Sequence, residues 1–132
     1  MLDIFLTLDS CLLILKLKRI YNPADKADGL RILVDRLWPR GVTKERAQID
    51  RWMKDVAPST ELRKQYHANP QNWAEFQHNY IAELRQSKES VNELIELIKT
   101  HDTVTLLYSV HDEQQNHAAI LREFLLGAIK DF

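Results

Sequence analysis

The alternation of apolar and polar residues along the chain predicts three β-strands. Residues 13–21 alternate loosely and are rich in Ile and Leu, and a second apolar run extends from Leu30 to about Arg36. Residues 103–110 give the clearest strand, because their β-branched and apolar run is almost unbroken. Such a run is typical of a strand buried on both faces, so we expect residues 103–110 to lie at the centre of a sheet.

Apolar residues at helical spacing predict five helices between and after these strands. The predicted helices cover residues 44–56, 61–67, 73–86, 89–101 and 112–128. The last of them is expected to begin at Asp112, because Asp112 and Gln115 have the spacing of a capping box.

Strands that alternate with helices favour an α/β fold, here a small layered sandwich with a mainly parallel sheet flanked by helices. We interpret residues 1–12 as an N-terminal extension and residues 13–132 as a single α/β domain. Three strands make a thin sheet. We therefore expect either a short further strand among the middle helices or a homodimer to complete it.

The overall composition gives no charge signal for a polyanionic partner. The net charge is −1, so neither nucleic acid nor an anionic membrane surface is expected. The apolar N-terminal segment does not resemble a secretory signal, since Asp3 and Asp9 interrupt it, and it is too short to span a bilayer. The single cysteine, Cys11, cannot form an internal disulfide, which favours a reducing, cytoplasmic location.

Residue types exclude several familiar kinds of site. With three glycines the chain contains neither a P-loop nor a dinucleotide-binding fingerprint. It has no cysteine pair, its five histidines include no i, i+4 pair, and no G-x-S-x-G motif occurs. We therefore expect no metal and no cofactor.

Two strand ends carry polar residues that are suited to ligand binding. In open α/β sheets, ligands bind beyond the carboxyl ends of the strands. The segment VDRLWPRG lies at the end of the second predicted strand, and LLYSVHDEQQNHA lies at the end of the third. If these strands are neighbours, one site would hold eight residues, namely Asp35, Arg36, Trp38, Arg40, Tyr108, Ser109, Asn116 and His117.

Anion binding is the chemistry that the arginines of this set suggest. Arg36 and Arg40 could grip a carboxylate or phosphate with a planar fork that lysine lacks. Trp38, Ser109 and Asn116 would supply further ligand contacts, with Trp38 as a stacking wall. Four of these residues have a structural alternative: Arg36 and Arg40 could tie a loop, Trp38 could plug the core, and Ser109 could satisfy backbone groups.

Acid/base catalysis is the second chemistry that the set allows. His117 is the candidate acid/base, because histidine titrates near neutral pH. Asp35 and Tyr108 are the groups that would orient it. A structural role for His117 carries equal weight at this point, and Asp35 could simply pair with an arginine.

The same segments resemble a known family. VDRLWPRG and LLYS…NHA, with APSTELRKQYH between them, are similar to the domain of unknown function 488 family in its YeaO-like branch, over about residues 16–126. The resemblance implies a small cytoplasmic bacterial α/β protein of unestablished activity. Other branches carry a cysteine at the strand end and a Cys-His-Arg block where this chain has Tyr108 and Asn116-His117, which implies a site there and argues against thiol chemistry here.

Two hypotheses about function follow. The first is an anion-recognising pocket for a phosphorylated or carboxylated small molecule, such as a nucleotide, in an enzyme that uses His117 as acid or base. The second is a binding or regulatory module that holds a small molecule, a protein or a nucleic-acid tail without turnover. An enzyme needs an oriented, titrating group in the pocket, whereas a binding module needs only the arginines.

Overall fold

The sheet is mainly parallel, as the sequence predicts. The computed structural model describes residues 4–8 and 11–130, and within them the sheet has five strands in the order β1-β2-β5-β3-β4. The strands are β1 (Ile4–Leu8), β2 (Cys11–Arg19), β3 (Leu30–Leu33), β4 (Arg51–Trp52) and β5 (Thr103–Tyr108). Neighbours in the β2-β5-β3-β4 series run parallel, and β1 is antiparallel to β2.

Five α-helices and two 3₁₀ turns make up the remaining regular structure of the described residues. The helices are α1 (Lys44–Ala47), α2 (Thr60–Ala68), α3 (Trp73–Gln86), α4 (Lys88–Thr100) and α5 (His117–Lys130), and the turns are Lys26–Asp28 and Lys54–Val56. No helix in this part of the chain is both long and apolar enough to cross a membrane. The small layered α/β fold is confirmed.

The N-terminal extension contains regular structure in its described part. β1 lies inside residues 1–12 and pairs with β2, which begins at Cys11 rather than at residue 13. Residues 1–3 and 9–10 lie outside the described residues.

The predicted helix over residues 44–56 is wrong, and a short strand replaces its middle. Gln48 adopts a left-handed conformation with φ 46° and ends α1 after one turn. The backbone then follows β3, because the N–H of Met53 donates to the carbonyl of Leu33 at 2.9 Å. The apolar residues whose spacing suggested a helix pack into two different cores. Trp52 lies against one face of the sheet and Val56 against the other. The further strand expected among the middle helices is therefore β4.

The predicted start of the last helix is also wrong. α5 begins at His117, and Asp112 belongs to the preceding loop. Asp112 Oδ1 accepts from the backbone N–H groups of Gln114 and Gln115 at 2.9 Å, which stabilises a turn. The N-cap is Asn116, whose Oδ1 accepts from the N–H of Ala119 at 2.9 Å.

Two apolar cores lie on the two faces of the sheet. Val104, Leu106 and Tyr108 of β5 point toward the helices, where α4 and α5 pack on β2 and β5. Leu107 points to the other face and packs with Leu33, in a smaller cluster that α1 and the β3–β4 connection cover. β5 is thus buried on both faces, as its unbroken apolar run predicts.

A buried charge cluster completes the second face of the sheet. Asp28 accepts from Arg31 at 2.5 Å and from Lys18 at 3.1 Å. Arg31 also donates to the backbone carbonyl of Ala47 at 2.7 Å. The Thr105 hydroxyl donates to the carbonyl of Asp28 at 2.7 Å, so the cluster links three strands.

Leu107→Ala tests the central position of β5. The side chain is fully buried, so its removal should lower the free energy of unfolding by about 2–5 kcal/mol through lost burial and the cavity left behind. Urea titration measures this change. Leu37→Ala, at a residue that is 56% exposed, is the control and should change stability by less than about 0.5 kcal/mol. Equal midpoints for the two variants would contradict the central placement.

Asp28 should make stability depend on pH in the acid range. Burial acts to raise its pKa, but hydrogen bonds from the Asp25 backbone N–H, Lys18 and Arg31 favour the carboxylate more strongly, and the pKa is lowered overall. The stabilisation is therefore complete above the unfolded pKa of about 4 and is lost as the pH falls through the folded pKa.

Urea titrations of the wild type and Asp28→Asn, from neutral pH down to about pH 3, measure this dependence across that window. The wild-type advantage over Asp28→Asn should shrink as the pH falls. A constant difference between the two proteins would contradict the assignment.

Candidate functional site

The two polar strand ends meet, as the sequence predicts. β3 and β5 are neighbours, and the N–H of Val34 donates to the carbonyl of Leu107 at 3.0 Å at the carboxyl edge of the sheet. The loop after β3 and the loop after β5 therefore leave the sheet side by side. Arg36 and Ser109 consequently lie on one edge of the molecule rather than on two.

A cavity of about 420 Å³ opens at this edge. Its volume lies in the range of small-molecule sites. The lining comes from the loop after β3, the loop after β5, the start of α5, and two helices that the sequence did not connect with the site, α2 and α3. Of the eight predicted residues, seven line it: Asp35, Arg36, Trp38, Arg40, Ser109, Asn116 and His117.

Asp35 and His117 form the buried pair of the cavity. His117 Nε2 lies 3.2 Å from Asp35 Oδ1, and both side chains are about nine-tenths buried. Both carboxylate oxygens of Asp35 are shielded from solvent, and neither has a hydrogen-bond partner among the described residues. Both residues hold these positions for local reasons, since Asp35 lies two residues after the end of β3 and His117 is the first residue of α5.

A backbone contact fixes the tautomer of His117. Nε2 lies 2.9 Å from the carbonyl oxygen of Val34, and a carbonyl only accepts, so Nε2 carries a proton. The ring also meets Tyr80 edge-on, with centroids 6.2 Å apart. Tyr80 is itself held by a hydrogen bond from its hydroxyl to the carbonyl of Val56. Nδ1 is therefore the nitrogen of the neutral ring that is left to accept a hydrogen bond.

The two predicted arginines have different environments. Arg36 Nη2 donates to the carbonyl of Ala57 at 2.9 Å, and its Nη1 lies 3.9 Å from Asp55 Oδ1. Its guanidinium thus ties the loop after β3 to the segment before α2, which is the structural alternative considered for it.

Arg40 is presented outward by a held turn. Gly41 has φ 78°, in the left-handed region, and the Tyr21 hydroxyl donates to the carbonyl of Arg40 at 2.9 Å. The Arg40 guanidinium is exposed and makes no hydrogen bond or ion pair with any residue that the structure describes.

Tyr108 lies outside the cavity lining. It belongs to the core under the helices and is 1% exposed. Burial raises the pKa of its phenol, and nearby Glu113 adds to that rise while Arg19 opposes it. The prediction placed Tyr108 in the site because it ends a strand. The alternation of side chains along β5 instead directs it toward the helices.

Trp38 and Asn116 line the cavity while they perform structural roles. Trp38 Nε1 donates to the carbonyl of Val42 at 2.7 Å, and its ring meets Trp52 at 5.4 Å. Both polar atoms of Asn116 are used, since Nδ2 donates to the Asp112 carbonyl and Oδ1 caps α5. Ser109 is half-buried, and its backbone carbonyl accepts from Arg19 at 3.1 Å.

Sequence reasoning missed an aromatic wall and a further arginine. Tyr66 of α2 contacts Trp73 and Phe76 of α3, with ring centroids 5.6 and 4.8 Å apart. All three line the cavity, as does the half-buried Arg63, whose guanidinium is not engaged by any described residue. The sequence gives no signal that separates these aromatic residues from ordinary packing, since all three also contact the core.

Among the described residues no group of three metal-ligating side chains comes together. Asp35 and His117 lie 3.2 Å apart, but no third such side chain of the described residues joins them, whereas catalytic zinc sites use three protein ligands.

Comparison with known proteins identifies the family. The model of the DUF488-N3i family, described as the inactive DUF488-N3 subclade, matches residues 14–131, and the chain belongs to this family. The uncharacterized protein YeaO of Escherichia coli K12 is 46% identical over 108 residues, which are 82% of this chain and 93% of YeaO. The uncharacterized proteins Mb3100c of Mycobacterium bovis and Rv3073c of Mycobacterium tuberculosis are each 40% identical over 114 residues, 85% of this chain and 93% of theirs. No solved structure matches.

Arg36 and Arg40 should differ in their effect on stability. Arg36→Ala leaves the buried carbonyl of Ala57 without its donor, so it should lower the free energy of unfolding by about 1–2 kcal/mol. Arg40→Ala removes no side-chain hydrogen bond or ion pair to a described residue, so its free energy of unfolding should stay within about 0.5 kcal/mol of the wild type. Urea titration of both variants measures the difference. A smaller loss for Arg36→Ala than for Arg40→Ala would contradict these assignments.

Proposed function

We propose that this chain is a non-catalytic module that binds a small anionic molecule in the cavity at the carboxyl ends of β3 and β5. The observation that carries the proposal is a cavity with two guanidinium groups, those of Arg40 and Arg63, that no described residue engages. A phosphate or carboxylate is the natural partner of such groups, since guanidinium binds both with two parallel hydrogen bonds.

The two arginines come from different elements of the fold. This arrangement favours a small molecule bound inside the cavity over a single ion bound at the surface. Arg40 extends from the turn after β3, and Arg63 lies on α2. The exposed His67, one turn after Arg63 on the same helix, also lines the cavity. Basic side chains therefore reach the same cavity from the turn after β3 and from α2.

Binding without turnover has two supports. His117 Nε2 donates to the Val34 carbonyl, which suits a ring that positions a loop, and Tyr108 lies in the core and does not line the cavity. The family model that matches the chain is described as an inactive subclade.

Acid/base catalysis is the alternative function, and one observation favours it. His117 Nε2 lies 3.2 Å from the buried carboxylate of Asp35, and active sites use such a pair of histidine and aspartate to orient a base. An enzyme of this kind would turn over the ligands that it binds. Incubation of bound candidates with the protein, followed by mass spectrometry of the small molecule, separates the two functions: an unchanged ligand supports the module.

Arg40→Lys tests the anion-binding role. The substitution retains charge but loses the bidentate fork, so the affinity for a phosphate or carboxylate ligand should fall by about 1–3 kcal/mol with little change in melting temperature. Isothermal titration calorimetry with inorganic phosphate, nucleoside monophosphates and aromatic carboxylates measures binding. A thermal melt of the same variant measures stability.

Arg63→Ala should weaken the same ligands, and Arg85→Ala is the matched control. Arg85 is an exposed arginine of α3 that does not line the cavity, so its removal changes the net charge equally and should leave the affinity unchanged. If Arg63→Ala and Arg85→Ala lowered the ligand affinity equally, the effect would come from the change in net charge and not from a contact made by Arg63. A lower melting temperature for Arg40→Lys with undiminished affinity would contradict the binding role of Arg40.

A further inference from the structure

We infer that the ligand is an anion with a compact aromatic body, of the aryl carboxylate or aryl phosphate type. This inference rests on the proposed binding function and specifies the chemical class of the ligand. The anionic group meets the guanidinium groups of Arg40 and Arg63, and the ring covers the apolar part of the cavity lining. The chemistry shared by the two types is one aromatic ring with one anionic group on a short arm.

The cavity is larger than an inorganic ion. Its volume is about 420 Å³, whereas a water molecule in the liquid occupies about 30 Å³. An ion the size of a few water molecules therefore leaves most of this space unfilled. The ligand has a body beyond its anionic group, and the lining of the cavity determines the chemistry of that body.

The inner part of the lining offers apolar contact. The most buried lining residues are Asp35, Pro39, Pro58, Phe76 and Asn116. Asn116 uses both of its polar atoms within the protein, and both carboxylate oxygens of Asp35 are shielded from solvent. The two proline carbonyls already accept hydrogen bonds, from the Val42 N–H and from Arg36 Nε. A ligand body that lies against these residues gains burial rather than hydrogen bonds, with His117 Nδ1 next to them as an acceptor.

Two exposed apolar side chains extend this surface to the mouth of the cavity. In the part of the chain that the structure describes, Leu37 and Val110 are the exposed large apolar residues, at 56% and 39%. Both line the cavity, Leu37 from the loop after β3 and Val110 from the loop after β5. A single exposed apolar residue needs no explanation, but two from separate loops at one cavity form a patch of the kind that marks a ligand site.

Tyr66 and Trp73 favour an aromatic body over an aliphatic one. Both side chains are half-buried and line the cavity, so part of each ring is open to it. The two rings meet at 65° with centroids 5.6 Å apart. Aromatic pairs prefer edge-to-face and offset arrangements, so a ligand ring finds a favourable partner in whichever edge or face these rings leave open.

The groups that can bind charge lie on more exposed residues than the inner lining. Arg40 is exposed, Arg63 is half-buried, and no described residue engages either guanidinium. The ring therefore enters the cavity while the anionic group stays near the mouth. A sugar phosphate of similar size would place hydroxyl groups against the apolar inner lining, where they lose their hydrogen bonds to water without replacement.

Calorimetry with matched compounds tests the inference on the wild-type protein. Phenyl phosphate should bind at least about tenfold more tightly than inorganic phosphate, because burial of a ring is worth at least that factor, and its heat-capacity change should be more negative. Glucose 6-phosphate, which has a polar body, should bind no more tightly than inorganic phosphate. Benzyl alcohol, which has the ring without the charge, should bind at least about tenfold more weakly than phenyl phosphate.

Phenylacetate separates the two types of anion. Tighter binding of phenylacetate than of phenyl phosphate identifies an aryl carboxylate as the ligand type, and the reverse identifies an aryl phosphate.

A double variant, Leu37→Ser with Val110→Ser, tests the apolar patch. It should weaken phenyl phosphate at least about fivefold, because apolar contact is lost, and leave the affinity for inorganic phosphate unchanged. Ala82→Ser, at an exposed alanine of α3 outside the cavity lining, is the matched control and should change neither affinity. A thermal melt checks that the double variant folds. If it does not fold, the wild-type series of compounds still decides.

Equal affinities for phenyl phosphate and inorganic phosphate would overturn the inference, as would glucose 6-phosphate binding as tightly as phenyl phosphate or a folded double variant that binds phenyl phosphate like the wild type. The proposed function is judged separately in the same calorimeter. Binding of inorganic phosphate that weakens in Arg40→Lys but not in Arg85→Ala would leave anion binding standing when the aromatic body fails. Absence of any Arg40-dependent anion binding would remove both.

Discussion

The parallel pairing of β3 with β5 is the constraint on which the rest of the structure depends. It sets Leu33 beside Leu107 on one face of the sheet and Ile32 beside Leu106 on the other, so both apolar cores are built across it. Its last hydrogen bond, from the Val34 N–H to the Leu107 carbonyl, is also the point from which two loops depart together. A shift of the register by one residue would turn Asp35 away from the cavity and expose the apolar side chains of the core.

The sequence predicted the framework where the pattern was long and regular. α3 occupies residues 73–86 as predicted, because a 14-residue amphipathic stripe has few alternative structures. β5 was predictable because an apolar run of its length must be buried on both faces. The prediction failed for residues 44–56. Their apolar residues are spaced as in a helix, but in the structure they pack against the two faces of the sheet. A two-residue strand such as β4 is specified by its neighbour β3 and not by its own composition.

The location of the candidate site could be predicted from the sequence, but only some of the residues that line it could be. Strand ends could be located from the sequence, so Asp35, Arg40 and His117 were predicted to lie together, and all three line the cavity. The direction of a side chain depends on strand parity and on where the strand ends, which is why Tyr108 was misplaced. The contribution of α2 and α3 could not be predicted, because it depends on how two helices close over a sheet edge.

The contact between His117 and Val34 also determines when the site can exist. It joins residues 83 positions apart in the chain, so the cavity has no local precursor, and it forms only once α5 has docked against the end of β3. Asp35 and Arg63 likewise come together through the tertiary fold. Occupancy of such a cavity is therefore linked to global unfolding rather than to the fraying of a loop. A molecule that binds only the native state adds RT ln(1 + [L]/Kd) to its stability, so the melting temperature of the whole domain reports on the binding of the ligand.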